Sequence, residues 1–376
     1  MSGVSWGGSE ELWWRTARLL QKKGHSIFVN YKWWPESAWH LKQIQENGGE
    51  LFFRDPPPPG FWESKRRWLT SWGQGQSGSK RNSWVERTRP DIVLVTLGYH
   101  PDRVQVADEC IAAKIPYAIN VQSASNFFFI HGDCLDKYRC WYRNATRVFF
   151  VSEENRHKLE TNLAMALPNS EIVDNPFNVD RDSHVDWPKP DGTLRLACVG
   201  RMHFQSKGQD LIVDVLRRPV WKDRKIEIYF YGHDQGNGRQ LSDLIAQYGL
   251  GEHLKVAGFE KDVSKIWEKC HALLLPSRYE GAALVVVESM LCNRMAITTD
   301  TGRNRELIDD GLSGFIAPGA TVDLLDQVLE RAWNSRDRWQ EMGELAGRQI
   351  RERYSEDPIA EFAKRLESLK DDCKFG

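Results

Sequence analysis

The sequence has 376 residues, enough for two or three domains, with 41% apolar and 27% charged residues and a formal net charge of -1. That balance argues against a general nucleic-acid binder, which carries a strongly basic face. No apolar run approaches the roughly 20 residues that span a bilayer. The seven cysteines form no CxxC pair and read as reduced thiols of a cytoplasmic protein.

Taken in chain order, GVSWGG (3–8) followed by SEEL looks like a glycine loop opening a helix from Glu10 to Lys23. A helix start offers free N–H groups and a positive dipole end, suited to a phosphate. The plainer reading is a turn capped by Ser9, with Glu10 and Glu11 favourable in the first turn. Gly24 suits the C-cap of this helix. An α/β domain normally enters such a loop from a strand, yet none is legible before residue 3. Either the start lies upstream or the first sheet lacks a strand.

Short β-rich runs follow at 26–31, 50–54, 91–97, 116–121 and 147–152, with a helical stretch at 103–114. The segment 55–84 begins with a proline run and ends rich in glycine and serine. Its cations sit among tryptophans. It reads as a solvated insertion, or as a contact surface for a membrane or an anionic acceptor. A second series of β-rich runs occupies 194–200, 225–232, 253–259, 271–277, 295–300 and 313–318, and a terminal helix is expected from about 355 to 370. Alternating β and α elements with apolar strands predict parallel sheets covered by helices on both faces. Two such series, separated by the irregular stretch 175–192, predict two Rossmann-like α/β/α domains facing across a cleft. The expected limits are 1–184, 185–352 and a terminal helix in 353–376 that packs back toward the first domain.

VGRMHFQSKGQDLI (199–212) places Arg201 and Lys207 after a strand, at the edge of a parallel sheet where ligands bind. The two cations suit a diphosphate, or are surface charges of a loop. In RYEGAALVVVESMLC (278–292), Glu280 falls in a turn and Glu288 in the second turn of a helix expected from about Ala282. Their eight-residue spacing is about 12 Å at the helical rise. This fits poorly with a glycosidase carboxylate pair. It suits two acceptors holding the hydroxyls of one extended ligand.

Together PSRYEGAALVVVESMLCNRMAITTD, VGRMHFQSKGQDLI and SWGGSEEL resemble the retaining GT-B glycosyltransferases of the family 4 group, from the glycine loop to about residue 320. The resemblance implies sugar transfer from a nucleotide-diphosphate sugar to an acceptor hydroxyl with retention, and no metal or cofactor. The acceptor would be a sugar, lipid-linked sugar or glycoconjugate. It implies that Glu280 holds the donor sugar, Glu288 the ribose, and Arg201 and Lys207 the diphosphate. Main-chain groups of Gly281, Ala282 and Ala283 would contact sugar and phosphate, and Gly7-Gly8 would close over the phosphates. Gln122 stands where the family has a histidine beside the donor sugar, and Arg303 where a second glycine is frequent. His100 reads as a loop histidine or an acceptor-side residue. The expected place is the cytoplasm, with peripheral contact at the inner face of the membrane. An epimerase or hydrolase of nucleotide sugars, or a non-catalytic homologue, are the alternatives.

Overall fold

The computed structural model describes residues 6–32, 39–53, 83–100, 104–125, 127 and 129–372. Its first half contains α1 (Glu11–Lys22), β1 (Phe28–Tyr31), α2 (Trp39–Glu46), β2 (Glu50–Phe53), α3 (Trp84–Thr88), β3 (Val93–Leu97), α4 (Val106–Ala113), β4 (Tyr117–Val121), α5 (Gly132–Asn144), β5 (Arg147–Phe150), α6 (Glu153–Leu163) and β6 (Ser170–Ile172). The second contains β7 (Leu194–Val199), α7 (Phe204–Lys207), α8 (Gln209–Leu216), β8 (Ile226–Tyr231), α9 (Gly238–Gln247), β9 (Leu254–Gly258), α10 (Ser264–Trp267), β10 (Ala272–Leu275), α11 (Leu284–Leu291), β11 (Met295–Thr299), α12 (Asn304–Leu307), β12 (Gly314–Ala317), α13 (Val322–Asn334), α14 (Trp339–Arg353) and α15 (Pro358–Asp372). Each strand expected from the sequence forms within a residue or two of its expected limits, and β6 is an addition. The insertion at 55–84 lies almost wholly outside the described residues.

Every strand pair is parallel. Strands β4, β10, β11 and β12 are buried at every position, as helices on both faces of a sheet require. The second-half sheet runs β12-β11-β10-β7-β8-β9. Its chain leaves β7 toward β8 and β9, then crosses back to β10 and on to β11 and β12. The order therefore reverses between β7 and β10, which opens a crevice at their carboxyl ends.

The first-half strands form two separate sheets, β1-β2 and β3-β4-β5-β6. Among the described residues no strand precedes Gly7. A doubly wound order would place a strand entering the glycine loop at the break, between β1 and β3. Helix α15 packs on α1 and on this half: Phe362, Leu366 and Leu369 share a core with Leu12, Ala118 and Phe149. Lys23 and Arg365 fix its outer face through Glu367 at 2.8 Å and Glu171 at 2.6 Å.

Candidate active site

The crevice between β7 and β10 gathers the residues singled out after each strand. Gly200 and Arg201 follow β7, and the short α7 ends at Lys207. The turn to α8 needs Gly208, whose φ is +67° and whose added Cβ would lie 2.2 Å from the Pro276 carbonyl oxygen. This close approach seats the Lys207 loop directly against the loop after β10. There the Lys207 ammonium meets Glu280 Oε1 at 2.5 Å, and the Ser277 hydroxyl donates to the same oxygen at 2.6 Å. Both side chains of the ion pair are largely shielded from water. Arg201 turns its guanidinium to Gln235 Oε1 at 2.6 Å.

A third cation ties these loops together. Arg278 is bound by both carboxylate oxygens of Asp210, at 2.8 and 2.6 Å, and donates to the Phe204 carbonyl at 2.5 Å. Its pKa is raised first by the hydrogen bonds it donates to Asp210. The motif reading passed over this residue because Arg278 lies beside the more conspicuous Glu280.

Helix α11 begins at Leu284, two residues later than expected, with extended Ala283 as N-cap. Gly281, Ala282 and Ala283 therefore form a loop. Gly281 faces the first half so closely that an added Cβ would stand 1.7 Å from the Gln122 carbonyl oxygen. Only glycine fits there. Gln122 follows β4 and is buried. Its amide exchanges hydrogen bonds with that of Asn175, at 3.1 and 2.9 Å.

Glu288 is buried in the second turn of α11. Its Oε1 accepts from the Asn178 backbone at 3.0 Å and side-chain amide at 2.8 Å. Burial raises its pKa against the opposing effect of those bonds. Asn178 also accepts from Arg15 of α1, and Arg15 reaches the Phe177 carbonyl at 3.2 Å. Asn175 and Asn178 belong to the connecting stretch, where only irregularity was legible. Glu280 and Glu288 thus have separate partner sets: a cation for one, amides for the other.

The glycine loop closes the crevice from the opposite side. Gly8 lies against Leu284, with an added Cβ 3.5 Å from its side chain. Ser9 is not the cap expected from sequence. It lies inside a 3-10 turn, Gly8–Glu10, while Glu10 folds back so that its carboxylate accepts from Gly7 N at 2.9 Å and from the Ser9 hydroxyl at 2.7 Å. The Ser9 hydroxyl is spent as a donor to that carboxylate, and the carboxylate takes the Gly7 N–H in its place. Desolvation raises the Glu10 pKa, opposed first by its hydrogen bonds from Ser9 and Gly7 and last by the charge of Arg201. His100 is fully buried, with Nδ1 accepting from Ser125 N at 3.4 Å and its own N–H donating to the Ser123 carbonyl at 2.9 Å. It bridges the ends of β3 and β4, as a loop histidine does.

Residues 179–349 match the family described as glycosyl transferases group 1. An uncharacterized glycosyltransferase of Methanocaldococcus jannaschii is 29% identical over 127 residues, covering 33% of this chain and 34% of its own. The glycogen synthase of Pseudomonas syringae pv. syringae is 28% identical over 137 residues, 36% of this chain and 28% of its own. The poly(ribitol-phosphate) alpha-N-acetylglucosaminyltransferase of Staphylococcus aureus is 25% identical over 158 residues, 42% and 32% respectively. The chain thus spans about a third of the length of these curated relatives. The Anabaena protein HepE, crystallised with UDP, superposes with a TM-score of 0.73 at 15% identity, covering 98% of each chain. A glycosyltransferase from Rickettsia africae does so at 0.74 and 15%, covering 100% of this chain and 97% of its own. The likeness to these structures shows the GT-B fold, and within it residues 179–349 are similar to the glycosyl transferases group 1 family.

Proposed function

We propose that this protein is a retaining, metal-independent glycosyltransferase that moves a sugar from a nucleotide-diphosphate sugar to an acceptor hydroxyl. The observation that carries this reading is the Lys207–Glu280 pair, held with Arg201 at the switch point between β7 and β10. In the reaction the bond from the sugar's anomeric carbon to the β-phosphate oxygen breaks. The acceptor oxygen bonds to that carbon on the same face, and its proton passes to the departing diphosphate. Negative charge grows on the leaving phosphate, and Arg201, Lys207 and the N–H groups of the 281–283 loop are placed to meet it. Glu280 then holds hydroxyls of the transferred sugar. Glu288, fixed by Asn178, holds the ribose. These cations supply the positive charge that a metal would otherwise bring, so no cofactor is invoked.

The base belongs beside Gly258 and Phe259, at the carboxyl end of β9. Phe259 is 59% exposed and stacks on His233 at 4.0 Å between ring centres, leaving a flat aromatic face open beyond the ends of β8 and β9. HepE binds UDP according to its crystal structures, and UDP is the first nucleotide to test here. The donor is the partner this reading names; the acceptor remains a hydroxyl compound. Among the described residues no helix is long and apolar enough to cross a membrane. A peripheral membrane contact through 55–84 rests on sequence only.

Calorimetric titration with UDP, GDP and ADP, with and without chelator, tests the donor site. Tight binding of one nucleotide that survives chelation is expected, followed by transfer from the matching sugar nucleotide. Glu280→Ala should lower turnover on the order of a hundredfold while leaving nucleotide affinity nearly intact. Release of free sugar as the sole product in the presence of any acceptor would turn the assignment to a hydrolase. Loss of all binding on chelation would refute metal independence.

A further inference from the structure

Next to the donor-side loops stands an aromatic cluster that the proposed chemistry does not use. Tyr279 immediately precedes Glu280. Its ring reaches across the crevice to Phe127, 6.1 Å away and edge-on, and to Tyr99, 6.3 Å away and tilted. Tyr99 follows β3 and Phe127 follows β4, so the three rings converge from three strand ends at the mouth of the crevice. Phe127 is 65% exposed and Phe129 64%. Leaving two phenylalanines this open within three residues of chain is costly unless something covers them.

Polar groups edge the same cluster. The Ser206 hydroxyl, which pairs with His203 Nδ1 at 2.8 Å, lies near the Tyr279 side chain. The Ser123 hydroxyl, one residue past Gln122, is shielded from solvent without a partner among the described residues. Flat rings edged by hydroxyl and imidazole groups match a pyranose ring, whose C–H face is apolar and weakly positive and whose rim is polar. An aliphatic chain would be better matched by leucine, isoleucine or valine, whereas the side chains that converge here are aromatic.

We infer that Phe127 and Tyr279, with Tyr99 behind them, form a stacking platform for a sugar ring of the acceptor, which makes the acceptor a carbohydrate. The inference rests on the glycosyltransferase reading and deepens it. Because Tyr279 adjoins Glu280, a ring stacked there lies beside the donor sugar, where an attacking hydroxyl must be.

The test is saturation-transfer NMR on the full chain, loaded with UDP, GDP or ADP according to which binds. The probes are methyl β-D-glucopyranoside, methyl β-D-galactopyranoside and decyl phosphate. Saturation of pyranoside ring protons is expected, with the dissociation constant raised about five- to tenfold by Phe127→Ala and restored by Phe127→Tyr. Nucleotide affinity should not change in either variant. Pyranosides bound equally well by Phe127→Ala, no pyranoside bound by the parent, or saturation of decyl phosphate alone would each overturn the platform. Failure of the parent to bind any of the three nucleotides would instead strike the glycosyltransferase reading.

Discussion

Glu288 shows how one buried carboxylate sets a pH dependence. It is 4% exposed, and burial raises its pKa. Its charged form accepts from Asn178 and, in the proposed role, from ribose hydroxyls. It therefore takes up a proton at a less acidic pH than an ordinary carboxylate, and nucleotide affinity should fall as pH drops through that raised value. For stability the sign is opposite. The folded state binds this proton more tightly than the unfolded state, so the contribution favours folding at low pH and is lost as pH rises through the folded pKa. UDP itself titrates at about 6 in its terminal phosphate, so the comparison must be with Glu288→Gln, in which only the nucleotide's titration remains. A UDP affinity that follows the same acidic limb in both proteins would show that Glu288 does not touch the ligand. At neutral pH, Glu288→Ala should weaken UDP binding by about 1.5–3 kcal/mol, roughly ten- to a hundredfold.

At the scale of elements, the β7–α7 and β10–α11 loops are held in register by Arg278 and Asp210. Removing the carboxylate with Asp210→Ala leaves the guanidinium without its fork and frees the Lys207 loop to move relative to Glu280. The expected result is a turnover loss on the order of tenfold with little change in nucleotide affinity, and a stability loss of about 1–2 kcal/mol. Asp210→Glu should recover most of the turnover. An unchanged kcat would show that Gly208 and the main chain alone hold the loops. Gly281→Ala is a harsher change, because its Cβ would drive against the Gln122 carbonyl oxygen at 1.7 Å. A cost of about 1–3 kcal/mol is expected, with loss of turnover, measured by denaturant unfolding and assay. Strands were legible here because the buried parallel strands are short apolar runs, most of them bounded by Gly or Pro. The motif cations and acids were legible because they sit at the ends of such runs. Asn175, Asn178, Asp210 and Ser277 were not, because their roles arise from contacts between segments far apart in sequence. Periodicity carries no record of those contacts.

Across the whole molecule the two halves are latched beside the crevice by residues outside the donor motifs. Arg303 stands where the resemblance has glycine, and it pairs with Asp174 in the connection between the halves. The two side chains are only 11% and 14% exposed. The Arg303 guanidinium also lies 5.1 Å over the Tyr354 ring, while Asp174 Oδ2 accepts from Ser355 N at 2.6 Å. Beside this, Glu306 Oε1 accepts from Glu153 N at 2.9 Å, and Glu154 accepts from Gly302 N. The start of α6 and the α12 loop are therefore joined by charge across the junction. Arg303→Ala leaves the shielded Asp174 charge without its cation and should destabilise by about 3–5 kcal/mol, while in Asp174→Ala the guanidinium keeps Glu306 at 3.4 Å and the cost should be smaller. The double variant removes both charges, and should cost much less than the sum of the two. Denaturant unfolding of the four proteins measures that coupling. Simple additivity would mean that the pair does not hold the halves together, and that the α15–α1 contact carries the junction instead.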